Sequence, residues 1–200
     1  MQQFQLIEQF VASARNAVLI VPQGPREASD SSGGKLEDAD GFARFIAELR
    51  STLATATSLG TNVSIGRIIL SGHSGGYRVM AAVLDRGGLT SQIQEVWLFD
   101  ALYADADKFL AWAEKSPGRL LNIYTDGGGT KDDAEAMMKL LKEHGTKFLA
   151  TEDTAVTSAE LRTSHLVFLH TALSHNDVLA KRQTFQQFLE TSCLDSYPPR

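Results

Sequence analysis

Cysteine is almost absent from this chain, with Cys193 alone among 200 residues. A single thiol excludes an intramolecular disulfide, and we therefore expect a cytoplasmic protein. Basic runs are absent too: the net charge is -5 and the pI about 5.5, which argues against nucleic-acid and membrane-surface partners. No stretch approaches the roughly 18 apolar residues of a membrane span, and the first residues lack the basic and apolar segments of a secretion signal.

The chain does contain enough apolar residues for a sizeable core. Hydrophobic residues make up 43% of the sequence, and 200 residues suffice for a domain that needs no disulfide or metal to fold. No internal repeat and no linker interrupts the pattern. We therefore expect one domain spanning residues 1–200.

Short apolar segments alternate with amphipathic ones along the whole chain. Strands are predicted at 17–21, 67–70, 95–99, 120–124 and 165–169. Helices are predicted at 4–14, 42–53, 77–84, 109–113, 130–144 and 177–189. This alternation predicts an α/β fold: a parallel sheet of about five strands with helices on both faces and ligands at the carboxyl ends of the strands.

A glycine-rich motif, Gly-His-Ser-Gly-Gly at 72–76, lies between a predicted strand and a predicted helix. It fits the pattern G-x-S-x-G, in which a sharp turn exposes the serine hydroxyl, so Ser74 is a candidate nucleophile. We expect side chains at Gly72 and Gly76 to obstruct that turn. The pattern alone arises by chance in roughly one such chain in ten, and the alternative interpretation is an ordinary glycine-rich strand-to-helix turn, for example one that binds phosphate. The strand before it and the helix after it favour the nucleophile.

Two further reactive residues follow predicted strands in the order that a serine nucleophile needs. Asp100 comes directly after the strand at 95–99, and His175 lies a few residues beyond the strand at 165–169. A serine needs a base to remove its proton, and the base needs an acid that fixes its tautomer. The sequence thus predicts a Ser74, Asp100, His175 triad.

Histidine offers two other candidates for the base. His165 begins the last predicted strand and His170 ends it, whereas His175 lies in the loop beyond, from which a side chain can reach Ser74. The spacing of five residues between them fits neither a helical face nor one face of a strand, so we expect no metal site.

With this motif, order of elements and triad order, residues 17–189 resemble the α/β-hydrolase superfamily. The resemblance implies acyl transfer by a serine, usually ester hydrolysis, without a cofactor. It also implies Asp126 as an alternative acid, because most members take the acid from the strand at 120–124. The usual spacing there, however, falls on Gly128, and lipase-like members take it from the preceding strand, as at Asp100.

The resemblance further implies an oxyanion hole with the backbone N–H of Gly75 as one donor. The family's second donor comes from a loop, often containing His-Gly, that this chain lacks together with the opening strands. Either the chain starts late relative to the family, or it is a natural minimal version. In a minimal version, the N–H of Gln23 or Gly24 would replace the missing donor.

Two functions therefore remain open at the level of sequence. One is a small serine esterase that acts on a small-molecule ester. The other is a non-catalytic or nearly inactive protein of the same fold that binds ligands or partners. Because the strand at 17–21 would be an unprotected sheet edge, we also expect a homodimer or higher oligomer that uses either this edge or the apolar face of Phe4, Ile7 and Phe10.

Overall fold

The computed structural model describes residues 2–27, 29–56 and 64–197, in which one five-stranded parallel sheet is surrounded by helices. The strands are hydrogen-bonded in the order β1-β2-β3-β5-β4. Their bounds are β1 (Ile68–His73), β2 (Ile93–Phe99), β3 (Arg119–Thr125), β4 (Leu149–Glu152) and β5 (Leu166–Thr171). The predicted α/β class and the parallel sheet are confirmed.

Eight α-helices lie within the described residues. They are α1 (Leu6–Ala12), α2 (Gly41–Ala56), α3 (Tyr77–Arg86), α4 (Ala106–Lys115), α5 (Lys131–Glu143), α6 (Ser158–Thr163), α7 (Asp177–Ala180) and α8 (Thr184–Glu190). None of the helices in the described ranges is long and apolar enough to cross a membrane.

The sheet is buried on both faces, which explains why its strands are continuous apolar runs. Alternate residues of β2 face opposite sides: Val96 and Leu98 pack in one core cluster, and Trp97 and Phe99 pack in the other. Helices α2 to α5 contribute to the first cluster, and α1, α6, α7 and α8 contribute to the second. The central strands are thereby fixed, and so are the loops at their carboxyl ends.

The segment 17–21 is not a strand, contrary to the prediction. Within the described chain its residues join no strand of the sheet, and Val18 and Val21 are 56% and 48% exposed. An apolar run buries itself as a strand only where a neighbouring backbone supplies hydrogen bonds. The sheet therefore ends at β1, which pairs with β2 alone.

Two other elements differ from the prediction. Strand β4 was not predicted, because it is a short edge strand in which half-buried and exposed residues alternate. The predicted helix at 177–189 is interrupted between α7 and α8, where Arg182 and Gln183 have left-handed backbones. Arg182 forms an ion pair with the buried carboxylate of Asp153, and this contact accompanies the break.

Candidate active site

Ser74 lies at the sharp turn between β1 and α3, in a strained backbone conformation. Its φ is 54°, a left-handed value that costs a non-glycine residue free energy and recurs at functional sites. A Cβ at Gly72 would overlap Met80 and approach the Gly76 carbonyl carbon to 3.3 Å, as expected for this turn. The same expectation for Gly76 was wrong, since a Cβ there would meet no heavy atom within 4 Å.

Asp100 follows β2 and is fully buried beneath the same edge of the sheet. Its Oδ1 accepts from the Thr125 N–H at 3.1 Å and its Oδ2 accepts from the Thr125 hydroxyl at 2.9 Å. The Thr130 hydroxyl also donates to Oδ1. A buried carboxylate is costly unless hydrogen bonds satisfy it, and these donors hold it in one orientation.

His175 and Asp100 meet at this edge, although 75 residues separate them in the chain. The Nδ1 atom of His175 lies 2.6 Å from Oδ2 of Asp100. Because a carboxylate accepts, Nδ1 carries the proton, and the lone pair of the neutral ring is then on Nε2. A base for a serine hydroxyl needs this tautomer.

The alternative candidates make other contacts. Asp126 is 60% exposed, accepts from Lys131 at 2.6 Å, and lies 3.2 Å from Nε2 of His170. His170 contacts Glu152 with its other nitrogen at 2.9 Å, and His165 lies 3.2 Å from the Ala113 carbonyl oxygen. The structure therefore brings Asp100, and not Asp126, to His175.

His73 was not singled out in the sequence beyond its place in the motif, yet it supports the base. Its ring stacks on that of His175 with centroids 4.5 Å apart, and its Nε2 lies 2.9 Å from the His175 carbonyl oxygen. Burial lowers the pKa of His73, and its contact with that carbonyl only partly opposes the shift. The neutral ring with its proton on Nε2 can then donate to this carbonyl and hold the loop of the base.

Tyr103 is a second site residue that sequence reasoning missed. Its hydroxyl lies 3.4 Å from Nδ1 of His175. Burial and the charge of Asp100 raise the pKa of the phenol, while hydrogen bonding with Ser74 opposes that rise. Its position three residues after Asp100 was a weak signal, because ring orientation decides whether a tyrosine reaches the site.

The candidate oxyanion donors differ in their surroundings. Gly75 adjoins the nucleophile, and a Cβ there would overlap the side chain of Ser31. Arg78, in the first turn of α3, is bound to Asp30 at 2.9 Å. Within the loop 22–34, the residues that contact Gly75 and Arg78 are therefore Ser31 and Asp30. Gln23 and Gly24 are exposed.

Other reactive groups in the described chain do not form a competing centre. Burial and the charge of Glu95 raise the pKa of the Cys193 thiol to about 12, so the unreactive thiol form dominates at neutral pH. In the described ranges, no group of three or more His, Cys, Asp or Glu side chains could hold a metal ion.

Two cavities lie away from Ser74. An apolar groove of about 450 Å³ lies between α1 and the segment 17–21. A more polar cavity of about 540 Å³ lies beside α8 and is lined in part by Asp153 and Arg182. Neither is lined by Ser74 or His175.

The chain was compared with protein-family models, with curated proteins and with solved structures, and no match was found in any of the three comparisons. The candidate site therefore rests on its own geometry: a strained serine at a strand-to-helix turn, with a buried aspartate and a histidine in contact at the same edge of the sheet.

Proposed function

We propose that the protein is a serine hydrolase that cleaves small carboxylic esters through an acyl-enzyme on Ser74. The observation that carries this proposal is the 2.6 Å contact between His175 and the buried Asp100, beside a serine with a φ of 54°. This combination supplies a nucleophile, a base of the required tautomer and a fixed acid. The family resemblance noted in the sequence agrees with it and stays part of the proposal.

In the first half of the reaction, Ser74 Oγ attacks the ester carbonyl carbon while its proton passes to Nε2 of His175. The negative oxygen of the tetrahedral intermediate accepts a hydrogen bond from the Gly75 N–H. The bond to the alcohol oxygen then breaks, and the alcohol leaves with the proton from Nε2. Asp100 stabilises the imidazolium throughout and keeps its own charge.

In the second half, water attacks the acyl carbon and gives its proton to Nε2. Collapse of this second intermediate breaks the bond to Ser74 Oγ, which takes the proton back, and a carboxylic acid leaves. The reaction needs no redox cofactor, because no atom changes its oxidation state. The described structure contains no hydrogen bond between Ser74 and His175, so the proposed reaction requires a movement that brings Oγ to Nε2.

The proposal also includes a small-molecule substrate and a cytoplasmic location. From β1 to β5, strands and helices alternate without a large insertion that could form a lid, which supports a small substrate. The single free cysteine supports a reducing compartment.

A non-catalytic binding protein of the same fold is the second candidate. Gln23 and Gly24 have no described contact with Ser74 or His175, which favours this candidate, because a donor from that loop is expected at the oxyanion in an active enzyme. Loss of one oxyanion donor lowers kcat by a factor on the order of a hundred or more. The two candidates thus differ in the rate of acylation.

Incubation with a fluorophosphonate followed by peptide mass spectrometry tests the two candidates, together with turnover of p-nitrophenyl acetate. We expect the label on Ser74, and we expect Ser74→Ala to remove both labelling and turnover. Ser71→Ala, three residues earlier on β1, is the matched control and should retain both. Absence of label from the folded wild-type protein would favour the binding protein.

A further inference from the structure

We propose that the Tyr103 hydroxyl is a catalytic group: the second oxyanion donor, acting beside the Gly75 N–H on the tetrahedral intermediate at Ser74. The inference rests on the proposed acyl transfer and deepens it. It assigns to a side chain the role that the sequence predicted for the N–H of Gln23 or Gly24, residues that are exposed and have no described contact with Ser74.

The phenol adjoins both reacting groups. Its oxygen lies 3.4 Å from Nδ1 of His175. The Ser74 hydroxyl also acts on the phenol, because it lowers the pKa of Tyr103 and so partly offsets the rise caused by burial and by Asp100. An oxyanion forms within a bond length or two of the serine oxygen, so a hydroxyl next to Ser74 is near the position where negative charge develops.

The proton of this hydroxyl is not needed elsewhere. Nδ1 of His175 carries its own proton and donates it to Asp100 at 2.6 Å, so it cannot also accept from the phenol. The Tyr103 O–H is therefore free to point toward Ser74. Burial and the charge of Asp100 raise the pKa of the phenol, which keeps it protonated and able to donate at neutral pH.

The ring of Tyr103 is held in place before any substrate binds. It packs against Tyr77 with centroids 5.9 Å apart and against His175 at 6.3 Å. A Cβ on Gly129 would lie 3.4 Å from its Cε1, so the loop after β3 approaches its edge closely. The two residues before it, Ala101 and Leu102, are fully buried. Donors fixed in this way stabilise a transition state without a reorganisation cost.

The test uses Tyr103→Phe, which keeps the ring contacts and removes only the hydroxyl. We expect kcat for p-nitrophenyl acetate to fall about a hundredfold or more with KM little changed. Affinity for phenylboronic acid, which forms a tetrahedral adduct on an active serine, should fall roughly tenfold or more. Tyr77→Phe is the matched control, since its ring packs on Tyr103 and its hydroxyl has no described contact with the site; it should resemble wild type.

Each other outcome overturns the inference in a distinguishable way. If wild type hydrolyses the ester and Tyr103→Phe keeps its kcat and boronate affinity, Tyr103 is not the donor, while the hydrolase proposal stands. If kcat falls but boronate affinity is unchanged and the pH midpoint of kcat/KM moves, Tyr103 acts through His175 instead. If folded wild type is neither labelled by fluorophosphonate nor active, the hydrolase proposal fails and this inference with it.

Discussion

The imidazole rings of His73 and His175 are stacked, with their planes inclined by 28° and their centroids 4.5 Å apart. Two protonated rings at this distance would repel each other, so the site favours a neutral His73 when His175 takes up a proton, as the proposed reaction requires. Because His73 directly precedes Ser74 in the chain, the candidate nucleophile and the residue that contacts His175 lie next to each other at the same turn.

A pH dependence of stability follows from His73. Burial lowers its pKa in the folded state below the ordinary 6.5, so between these two values only the unfolded chain binds the proton. Its neutral form contributes stability above pH 6.5, and this stability is lost as the pH falls toward the lowered pKa. Urea unfolding at about pH 8 and about pH 5.5 measures the effect.

His73→Gln should lose less stability than wild type over the same pH interval. The pKa of His170 is raised, because Glu152 and Asp126 outweigh the effect of burial, so His170 changes the stability with pH in the opposite direction. This contribution is the same in both proteins and cancels in the comparison. An equal loss in the two proteins would contradict the role assigned to His73.

The acid is tested by a pair of asparagine substitutions. Asp100→Asn removes the charge that orients and stabilises His175, and we expect kcat to fall by up to about ten-thousandfold. Asp126→Asn should change kcat little, because Asp126 is exposed and bound to Lys131. Both proteins are checked by circular dichroism before steady-state kinetics. A larger loss in Asp126→Asn would transfer the role of acid to that residue.

Stability should depend strongly on the buried Glu95. This carboxylate is fully buried and accepts from Arg119 at 3.2 Å, from the Trp97 indole at 2.8 Å and from the Cys193 N–H at 2.6 Å. Glu95→Ala leaves these donors and the Arg119 charge without their partner, and such losses cost about 3–5 kcal/mol. Chemical denaturation measures the free energy of unfolding.

An exposed ion pair is the control for that experiment. Asp195→Asn breaks a 3.0 Å contact with Arg67 in which both side chains are about half exposed or more, and we expect a far smaller effect. Equal losses in the two variants would show that burial of Glu95 does not determine the cost.

We propose self-association through an amino-terminal apolar surface that consists of Ile7, Val11, Val18 and Val21. These side chains are 52%, 70%, 56% and 48% exposed, and they lie on and beside the groove between α1 and the segment 17–21. An apolar segment outside any strand can pair with a second copy of itself around a two-fold axis.

Light scattering over a range of concentrations tests this proposal. Wild type should exceed the 21.8 kDa monomer mass, and Val18→Asp should return to it. Leu140→Asp, which changes an exposed apolar residue on α5, is the control and should associate like wild type. A wild-type protein that stays monomeric at every concentration would refute the interface.

The parts of the fold that follow from local pattern were predictable from the sequence. The run Val96-Trp97-Leu98-Phe99 is apolar on both faces because helices cover both, and such a run identifies a central strand. The segment 17–21 has the same composition, but no pattern within it reveals whether another strand lies alongside. The apolar composition therefore predicted a strand at 17–21, but no strand forms there because no neighbouring strand supplies hydrogen bonds.

The candidate site divides in the same way. Asp100 and His175 follow parallel strands, so their positions in the chain already place them at one edge of the sheet. The roles inferred for His73 and Tyr103 depend on the direction of two rings, which residue spacing does not determine. The threonines that orient Asp100 are similarly invisible in the sequence, since threonine is common in loops of every kind.

A side chain at position 128 would occupy the space that the Asp100 carboxylate fills, since a Cβ on Gly128 would overlap that carboxylate. Only one of the two positions can therefore hold an acid at a time. A lineage that moved the acid from the end of β2 to the loop after β3 would pass through a chain with no acid or with two in collision. In the proposed hydrolase, a transfer of the acid from Asp100 to position 128 therefore requires both positions to change together.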